Sequence, residues 1–281
     1  MIQLFKNLVI KILDLAGYKI IGKKNLVTHN SFNAIHDYII KSLNNEKKNI
    51  IIFDIGANEG DSITRFRKIF PLAEIHSFEP TQYLIKKMKS FSDMNNLKIN
   101  NFAIGNEISE RNFFFYNSHR VNSFYPMEKG SKYRIQRTNK NTEIEKENME
   151  KVKVITIDHY CKINNISYIN LLKIDTQGSE AEALQGAAGL LKNQAVDVIE
   201  LEYILGIAHK DSNSLYDIES SLDKFNYKLI AIESSGNVLS FSNYQTNLIY
   251  VKKRIFEKIK NLHEKNISLK GITFSVKSKE K

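Results

Sequence analysis

The chain has 281 residues, of which 42% are hydrophobic, and a formal net charge of +10, so it can bury one large core. Three prolines and the lack of a Pro/Gly/Ser-rich linker argue against a second independent domain. The single cysteine, Cys161, excludes an internal disulfide and a cysteine-built zinc site, and favours the reducing cytoplasm.

The positive charge lies at the two ends of the chain. Residues 1–49 contain 8 basic and 3 acidic residues, residues 252–281 contain 10 and 3, and residues 50–251 contain 23 and 25. An enzyme that grips nucleic acid needs basic groups around its cleft, so we expect no nucleic-acid partner. The basic ends fit compositional bias or solubility, and they also fit contact with an anionic membrane or an acidic glycan.

The apolar start of the chain is interrupted by Lys6, Lys11 and Asp14, so it predicts neither a secretory signal nor a membrane span. Apolar residues between Leu4 and Leu15 recur at helical spacing, which indicates an amphipathic helix. That helix packs on the main domain or lies on the inner surface of a membrane. We therefore expect a helical N-terminal extension (1–48), a main domain (49–253) and a basic C-terminal extension (254–281).

From Asn49 onward, short apolar runs alternate with helical patterns, which is typical of βαβ units around a parallel sheet. Residues 50–55 are almost wholly apolar, as a strand covered on both faces should be. Residues 117–150 are polar and show no clear hydrophobic periodicity. We expect them to form a long loop, called the excursion below, with a short helix near its end. Further strands are predicted at 73–78, 97–104, 111–116, 152–157, 168–174, 196–201, 227–232 and 246–251, and helices at 61–70, 81–91, 180–192 and 214–225.

Three of the predicted strands end in an acidic residue: Asp54, Glu79 and Asp175. In an open parallel sheet, ligands bind beyond the carboxyl ends of the strands. We therefore expect these three carboxylates to lie around one crevice.

The first strand leads into the turn D-I-G-A-N-E-G, residues 54–60. Asn58 stands where the dinucleotide-binding motif has its middle glycine, which disfavours a pyrophosphate ligand. A smaller ligand with an amino-acid end and a ribose suits the turn better. Backbone N–H groups at the helix start would take its carboxylate, and Asp54 would meet its ammonium group.

Glu79 lies 25 residues after Asp54, near the position where Rossmann-like sites bind ribose hydroxyls. The alternative is a solvated carboxylate at a strand end. Residues at the end of the third strand would flank an adenine, although Ala103 and Ile104 also suit an ordinary core. The expected cofactor-binding residues are Asp54, Gly56, Ala57, Asn58, Gly60, Glu79, Pro80, Asn101, Ala103 and Ile104.

The span from Phe53 to about Lys253 resembles the FkbM-type methyltransferases, a family of class I S-adenosylmethionine-dependent enzymes. The matching segments, in family order, are F-D-I-G-A-N-E-G-D, H-S-F-E-P, N-F-A-I-G-N, V-I-T-I-D, L-L-K-I-D-T-Q-G-S-E, A-L-Q-G-A and V-I-E-L-E. The resemblance implies an α/β Rossmann-like, seven-stranded, mostly parallel sheet with helices on both faces and an antiparallel last strand, residues 246–251. It also implies O-methylation with S-adenosylmethionine, often of a sugar or polyketide hydroxyl. Gln177 departs from the family, which commonly has glutamate there, so a role that needs a charge at this position is in doubt.

A sugar hydroxyl is a poor nucleophile at neutral pH, so a general base would assist its methylation. Asp175 is the first candidate for that base, and the alternative is that it only orients the substrate or a loop. Glu180 is expected to cap the next helix or to pair with a basic neighbour. Of Glu200 and Glu202, one could line the acceptor pocket.

Histidines offer rival bases because the pKa of the imidazole suits the task. The candidates are His119, His159 and His209, each of which also fits a surface loop, whereas His76 falls within a strand and is expected in the core. We predict no metal site. Arg120 and Tyr125, in the excursion, could grip a sugar or an acidic group.

Other functions remain open at this point. A protein or nucleic-acid methyltransferase is one alternative, although the chain lacks the Pro-Pro pair typical of amino-methylating DNA enzymes. A non-catalytic module that keeps the cofactor is another, and a nicotinamide dehydrogenase is opposed by the missing middle glycine. The favoured partner is a small-molecule or glycan acceptor.

Overall fold

A computed structural model describes residues 37, 40, 41, 43, 49–91, 94–116, 118–128, 148–204, 208–234 and 245–264. The strands are β1 (Ile51–Ile55), β2 (Glu74–Phe78), β3 (Leu97–Asn100), β4 (Ala103–Ile104), β5 (Ser109–Phe115), β6 (Asn148–Ile155), β7 (Ile169–Ile174), β8 (Val196–Ile204), β9 (Lys228–Ser234) and β10 (Gln245–Val251). The helices are α1 (Asp61–Ile69), α2 (Gln82–Met88), α3 (Ile157–Ile163), α4 (Glu180–Gln185), α5 (Ala188–Lys192), α6 (Leu215–Asp223) and α7 (Lys253–Glu264), with 3₁₀ turns at Lys89–Phe91 and His119–Val121.

The main sheet has seven strands in the order β3-β2-β1-β7-β8-β10-β9. The pairs from β3 to β8 are parallel, and β10 runs antiparallel to both of its neighbours. The expected seven-stranded, mostly parallel α/β sheet with an antiparallel last strand is confirmed. Its β1 and β7 are buried on both faces, which explains their nearly continuous apolar sequences.

Helices cover both faces of this sheet, as predicted. One face packs on α3, α4, α5 and α6, and the other packs on α1, α2 and α7. Ile255, Phe256 and Ile259 of α7 pack against the second core, whereas its basic residues Lys253 and Arg254 are exposed. The described part of the C-terminal extension therefore turns its apolar side to the protein.

A separate three-stranded sheet, β4-β6-β5, accounts for most differences from the predicted elements. The strand predicted over 97–104 breaks after Asn100, and its last residues join β6 instead. Strand β6 starts at Asn148, so the helix expected near the end of the excursion is wrong for residues 148–150. Residue 157 begins α3 rather than ending a strand, because the Thr156 side chain accepts the His159 N–H and caps a helix.

The helix predicted over 180–192 is divided into α4 and α5 at Gly186 and Ala187. A Cβ atom at Gly186 would lie 2.1 Å from the Gly105 carbonyl oxygen. The glycine therefore permits the small sheet to approach the helix.

Some predictions fall outside the described residues: the amphipathic helix between Leu4 and Leu15, residues 129–147 of the excursion, and residues 265–281. Residues 37, 40, 41 and 43 are helical, and the domain boundaries at residues 48 and 253 stay predictions. In the described part of the chain, no helix combines the length and the apolar character needed to cross a bilayer.

Candidate active site

A cavity of about 530 Å³ opens at the carboxyl ends of the parallel strands. Its wall is formed by the turns after β1, β2 and β7, by the ends of β8 and the start of β10, and by residues 119–124. This volume suits a ligand of small-molecule size. The residues predicted for the site that line it are Gly56, Ala57, Asn58, Glu79, Pro80, Ala103, Ile104 and Asp175.

The turn after β1 is held against its neighbours by close backbone contacts. Gly56 has φ +77°, and a Cβ atom there would lie 1.9 Å from the Asp175 carbonyl oxygen, so no side chain fits. The N–H groups of Gly56 and Ala57 both donate to the Phe78 carbonyl, at 3.0 Å each. These two N–H groups are therefore used by the end of β2, and the expectation that N–H groups at the start of α1 take a ligand carboxylate stays a prediction.

Glu79 is 5% exposed and faces the cavity from the end of β2. Its Oε2 accepts the Asn58 N–H at 3.0 Å, and its Oε1 accepts the Thr81 N–H at 2.9 Å. Burial raises the pKa of Glu79 above its ordinary value, and the two N–H donors oppose that shift. Each carboxylate oxygen keeps a second lone pair, so Glu79 is oriented and can still accept hydrogen bonds from a ribose.

The other three predicted cofactor residues lie outside the cavity wall. Asp54 is fully buried, accepts a hydrogen bond from Ser62 Oγ at 2.5 Å and has Lys173 Nζ at 3.3 Å. The ammonium group that Asp54 meets is thus the protein's own. Gly60, with φ +90°, precedes α1 and leaves room for the Phe91 ring, and the Asn101 amide donates to the carbonyls of Glu79 and Pro80.

A row of charged side chains lies beneath and beside the cavity. Asp54, Lys173 and Glu200 are direct neighbours across β1, β7 and β8. Arg65 of α1 donates to both oxygens of Glu200, at 2.6 and 2.7 Å, and to Asp37 at 2.5 Å. Negative and positive groups alternate, so these partly buried charges compensate one another.

Asp175 follows β7 and stands on the cavity wall with 26% of its side chain exposed. Its Oδ2 lies 3.4 Å from Lys173 Nζ, and its Oδ1 accepts a hydrogen bond from Gln177 Nε2 at 2.9 Å. Burial opposes ionisation, but Lys173 and the hydrogen bonds outweigh it and lower the pKa of Asp175. Gln177 acts here as an amide donor, a role that glutamate could not fill when ionised.

Glu180 fixes the turn that carries Asp175. Its carboxylate accepts the N–H of Thr176 at 3.0 Å, the Thr176 hydroxyl at 3.1 Å and the N–H of Gly178 at 3.0 Å. Burial raises the pKa of Glu180 to about 6. The expected cap or basic partner is wrong, since the carboxylate instead binds the turn that precedes its own helix.

Of the three rival histidines, His119 alone lines the cavity. Its carbonyl accepts the Asn58 side-chain N–H at 3.2 Å, and its Nε2 lies 3.3 Å from Glu59 Oε1. His209 is buried elsewhere, beside the Val121 carbonyl, and His159 belongs to α3. His76 is fully buried, as predicted.

The residues 119–124 form one side of the cavity. Arg120 lines it and pairs with Asp61 at 3.1 Å, and the Ser123 hydroxyl donates to the Gln177 carbonyl at 2.7 Å. Tyr125, which was expected to grip a ligand, instead donates its hydroxyl proton to Glu182. Residues 118–128 thus connect the turn after β1 with the turn after β7.

Lys173 lines the cavity and was missed by the sequence reasoning. A simple signal could have found it, since residues two apart in a strand project from the same face, and Lys173 precedes the predicted Asp175 by two positions. Of Glu200 and Glu202, one was expected to line the acceptor pocket, and both line the cavity. The remaining unpredicted polar lining residues include Ser62, Arg65, Asn122, Thr176, Gln177, Ser179, Gln245 and Asn247.

Among the described residues, no group of three or more His, Cys, Asp or Glu side chains is arranged to hold a metal ion.

The sequence matches the family described as "Methyltransferase FkbM domain" over residues 54–229. No curated protein matches the chain. Solved structures of similar shape include a precorrin-6y C5,15-methyltransferase from Geobacter metallireducens, with 10% identity, TM-score 0.40, and 83% of this chain and 93% of that one covered. A second is the magnesium protoporphyrin IX methyltransferase of Synechocystis with bound SAM, with 9% identity, TM-score 0.40, and 78% of this chain and 80% of that one covered. A third is Aeropyrum pernix fibrillarin with bound S-adenosyl-L-methionine, with 11% identity, TM-score 0.37, and 72% of this chain and 66% of that one covered. The family match, which runs from the end of β1 through β7 and β8, carries the assignment that follows.

Proposed function

The chain belongs to the FkbM methyltransferase family and is an S-adenosylmethionine-dependent methyltransferase; from this premise we propose that it methylates a hydroxyl group of a sugar. The sugar would be part of a polysaccharide, a glycolipid or a related metabolite. The observation that carries the proposal is the position of Asp175, between the residues suited to adenosine and a polar wall suited to a polyol.

The adenosine side of the cavity combines one oriented acid with small apolar surfaces. Glu79 supplies hydrogen-bond acceptors for ribose hydroxyls, and Pro80, Ala103 and Ile104 supply apolar surface for a base. The absence of a side chain at Gly56 lets the turns after β1 and β7 lie against each other on this side of the cavity. These residues fit an adenosyl ligand, which supports placing S-adenosylmethionine on this side.

The opposite side of the cavity is rich in carboxylates and amides. Glu202 and Asn247 are direct neighbours across β8 and β10, with Gln245 one step further along the same face. A sugar hydroxyl both donates and accepts, so it is matched by side chains that do the same. This polar wall favours a hydroxyl-rich acceptor over an apolar one.

S-adenosylmethionine would supply its methyl group by in-line displacement at the sulfonium. The chain's own residues align the acceptor hydroxyl and exclude water from it. Asp175 receives the hydroxyl proton as the new O–C bond forms, while Lys173 and Gln177 hold the carboxylate in place. A correctly placed base of this kind contributes roughly 10²–10⁴-fold to the rate.

The cofactor assignment is tested by calorimetry with S-adenosylhomocysteine. Wild type should bind it, and Glu79→Ala should bind at least about tenfold more weakly, since hydrogen bonds to a charged group are worth roughly 1.5–3 kcal/mol. The matched control is Glu74→Ala, at the other end of the same strand, which should keep wild-type affinity. No binding by folded wild type would reject the cofactor site.

The acceptor is tested with a panel of methyl glycosides, nucleotide sugars and glycolipids, using methyl-labelled S-adenosylmethionine. We expect label in an acid-stable O-methyl group of a sugar. Transfer to a protein or nucleic acid instead, with no sugar labelled, would reject the sugar acceptor and leave the methyltransferase assignment intact.

A further inference from the structure

Two carboxyl groups meet on the acceptor wall of the cavity. The carboxyl groups of Asp175 and Glu202 are both within reach of one Gln177 amide nitrogen, and both residues line the cavity. Gln177 Nε2 spans the pair, 2.9 Å from Asp175 Oδ1 and 3.4 Å from Glu202 Oε2. Two partly buried carboxylates this close repel each other, which favours a proton on one of them.

The charged groups around the pair act unequally on its members. Lys173 lies 3.4 Å from Asp175, whereas Glu202 is affected most by burial and by Asp175, and less by Lys173 and Glu180. The opposite neighbour of Glu202 on β10 is the neutral Asn247, and Arg65 is committed to Glu200 and Asp37. Asp175 is thus favoured as the ionised member and Glu202 as the protonated one.

We propose that Asp175 and Glu202 work as one base, which receives the proton of the acceptor hydroxyl and holds it between the two carboxylates. This inference rests on the proposed function and adds Glu202 as a second catalytic carboxylate. Burial and the Asp175 charge raise the pKa of Glu202 well above its ordinary value. A base of raised pKa accepts a proton near neutral pH more readily than Asp175 would alone.

The step balances with the cofactor and acceptor alone. The hydroxyl O–H bond breaks and its proton passes to the ionised pair, while the O–C bond to the methyl group forms and the C–S bond breaks. The sulfonium takes the electron pair of that C–S bond and becomes a neutral thioether. The pair, which carried two negative charges, then carries one and releases its proton to solvent before the next turnover.

The shared proton is measured without any acceptor, by ¹³C NMR titration of labelled Asp and Glu carboxyl carbons with S-adenosylhomocysteine bound. Wild type should show a carboxyl that titrates well above the ordinary glutamate range. That signal should vanish in Glu202→Gln and move to lower pH in Asp175→Asn, because the negative neighbour is gone. Ordinary titration of the carboxyl whose signal is lost in Glu202→Gln would overturn the proposal.

The catalytic role is measured as the pH profile of kcat with the neutral methyl glycosides of the panel as probes. Activity should rise as the pair loses its proton. Glu202→Gln should lower kcat by about 100-fold or more and move the acid limb to lower pH, with S-adenosylhomocysteine affinity retained. A purely structural role of Glu202 would leave the position of that limb unchanged, and this result would overturn the base role.

The control variant is Asp223→Asn, which removes an exposed carboxylate that pairs with Lys228 on the surface, and should keep the wild-type profile. If the NMR titration shows the pair but no glycoside is methylated, the proposed sugar acceptor fails, and the base role fails with it. The shared proton then stands on the titration alone.

Discussion

Asp54 and Lys173 are direct neighbours in β1 and β7, and their charged groups lie 3.3 Å apart inside the sheet. The Asp54 side chain is fully buried, and 12% of the Lys173 side chain is exposed. Burial opposes the charge on Lys173, but Asp175, Asp54 and the acidic residues of β8 raise its pKa. Lys173 is therefore a fixed cation that joins the floor of the cavity to the proposed base.

Replacing Lys173 by Met should destabilise the fold by about 3–5 kcal/mol, because Asp54 would be left as a buried, uncompensated charge. The measurement is the free energy of unfolding in urea, followed by circular dichroism. Lys228→Met provides the control, since the exposed pair with Asp223 should be worth at most about 1 kcal/mol. Equal losses in the two variants would contradict the buried role of Lys173.

Gly56→Ala should abolish cofactor binding. The new Cβ would stand 1.9 Å from the Asp175 carbonyl oxygen, and alanine tolerates φ +77° poorly, so the turns after β1 and β7 must separate. Calorimetry with S-adenosylhomocysteine measures the effect. The control is Gly105→Ala, in which the atom nearest to the new Cβ is a methyl group of Val154 at 2.8 Å. This side chain can move, so the control should keep its cofactor binding. Near-normal binding by Gly56→Ala would refute the argument that the turn tolerates no side chain.

The main sheet could be predicted from the sequence because its strands are strongly apolar and their ends carry acids and glycines. Residues 50–55 and 168–174 are mostly apolar and short, which predicted strands that are buried on both faces. The second sheet was not predictable in the same way. Residue 157 continues the alternating apolar pattern of residues 152–155, which predicts a longer strand. Only the contact in which the Thr156 side chain caps the next helix shows that a helix begins at residue 157.

The candidate site also contains residues that the sequence predicts and residues that it does not. Glu79 and Asp175 were predicted because each ends a strand, where ligands gather. Asp54 belongs to the same pattern but lies beneath the cavity, since its partner Lys173 stands on the next strand and was hidden in an apolar run. Sequence order cannot show that two residues 119 positions apart are neighbours in a sheet.

Glu180→Gln should slow methyl transfer while leaving the cofactor site occupied. The Oε1 atom of Glu180 accepts the Thr176 N–H, the Thr176 hydroxyl and the Gly178 N–H, and the Gly178 N–H also reaches Oε2 at 3.1 Å. In the variant, an amide NH₂ group replaces one of the two oxygens and stands against the Gly178 N–H. The loss of an acceptor costs about 1–3 kcal/mol and loosens the turn behind Asp175. Steady-state kinetics should show a lower kcat with an unchanged Kd for S-adenosylhomocysteine.

The neighbouring Glu182→Gln is the control for that variant. Its carboxylate contacts Arg111 and Tyr125 rather than the turn, so we expect a wild-type kcat at a temperature where both variants are folded. Equal kcat in Glu180→Gln and wild type would show that the turn does not depend on this carboxylate.

His209 should make the fold less stable in mild acid. Its side chain is 1% exposed, its Nε2 donates to the Val121 carbonyl at 3.1 Å, and burial lowers its pKa from 6.5 to about 4. The folded state therefore binds the proton less readily than the unfolded state. The contribution of neutral His209 to the free energy of unfolding is complete above about pH 6.5. It falls by roughly 3 kcal/mol as the pH drops towards 4.

His209→Gln tests this prediction, because the Gln amide can still donate to the Val121 carbonyl but does not titrate in this range. The variant should lose less unfolding free energy than wild type between pH 8 and pH 5, measured in urea at each pH. The contributions of the other titrating groups cancel when the two proteins are compared. The control variant is His159→Gln, which lies outside this contact, and its free energy of unfolding should change with pH as that of the wild type does. Parallel pH dependence of His209→Gln and wild type would mean that His209 takes up its proton without opening the segment of residues 118–128 that it supports.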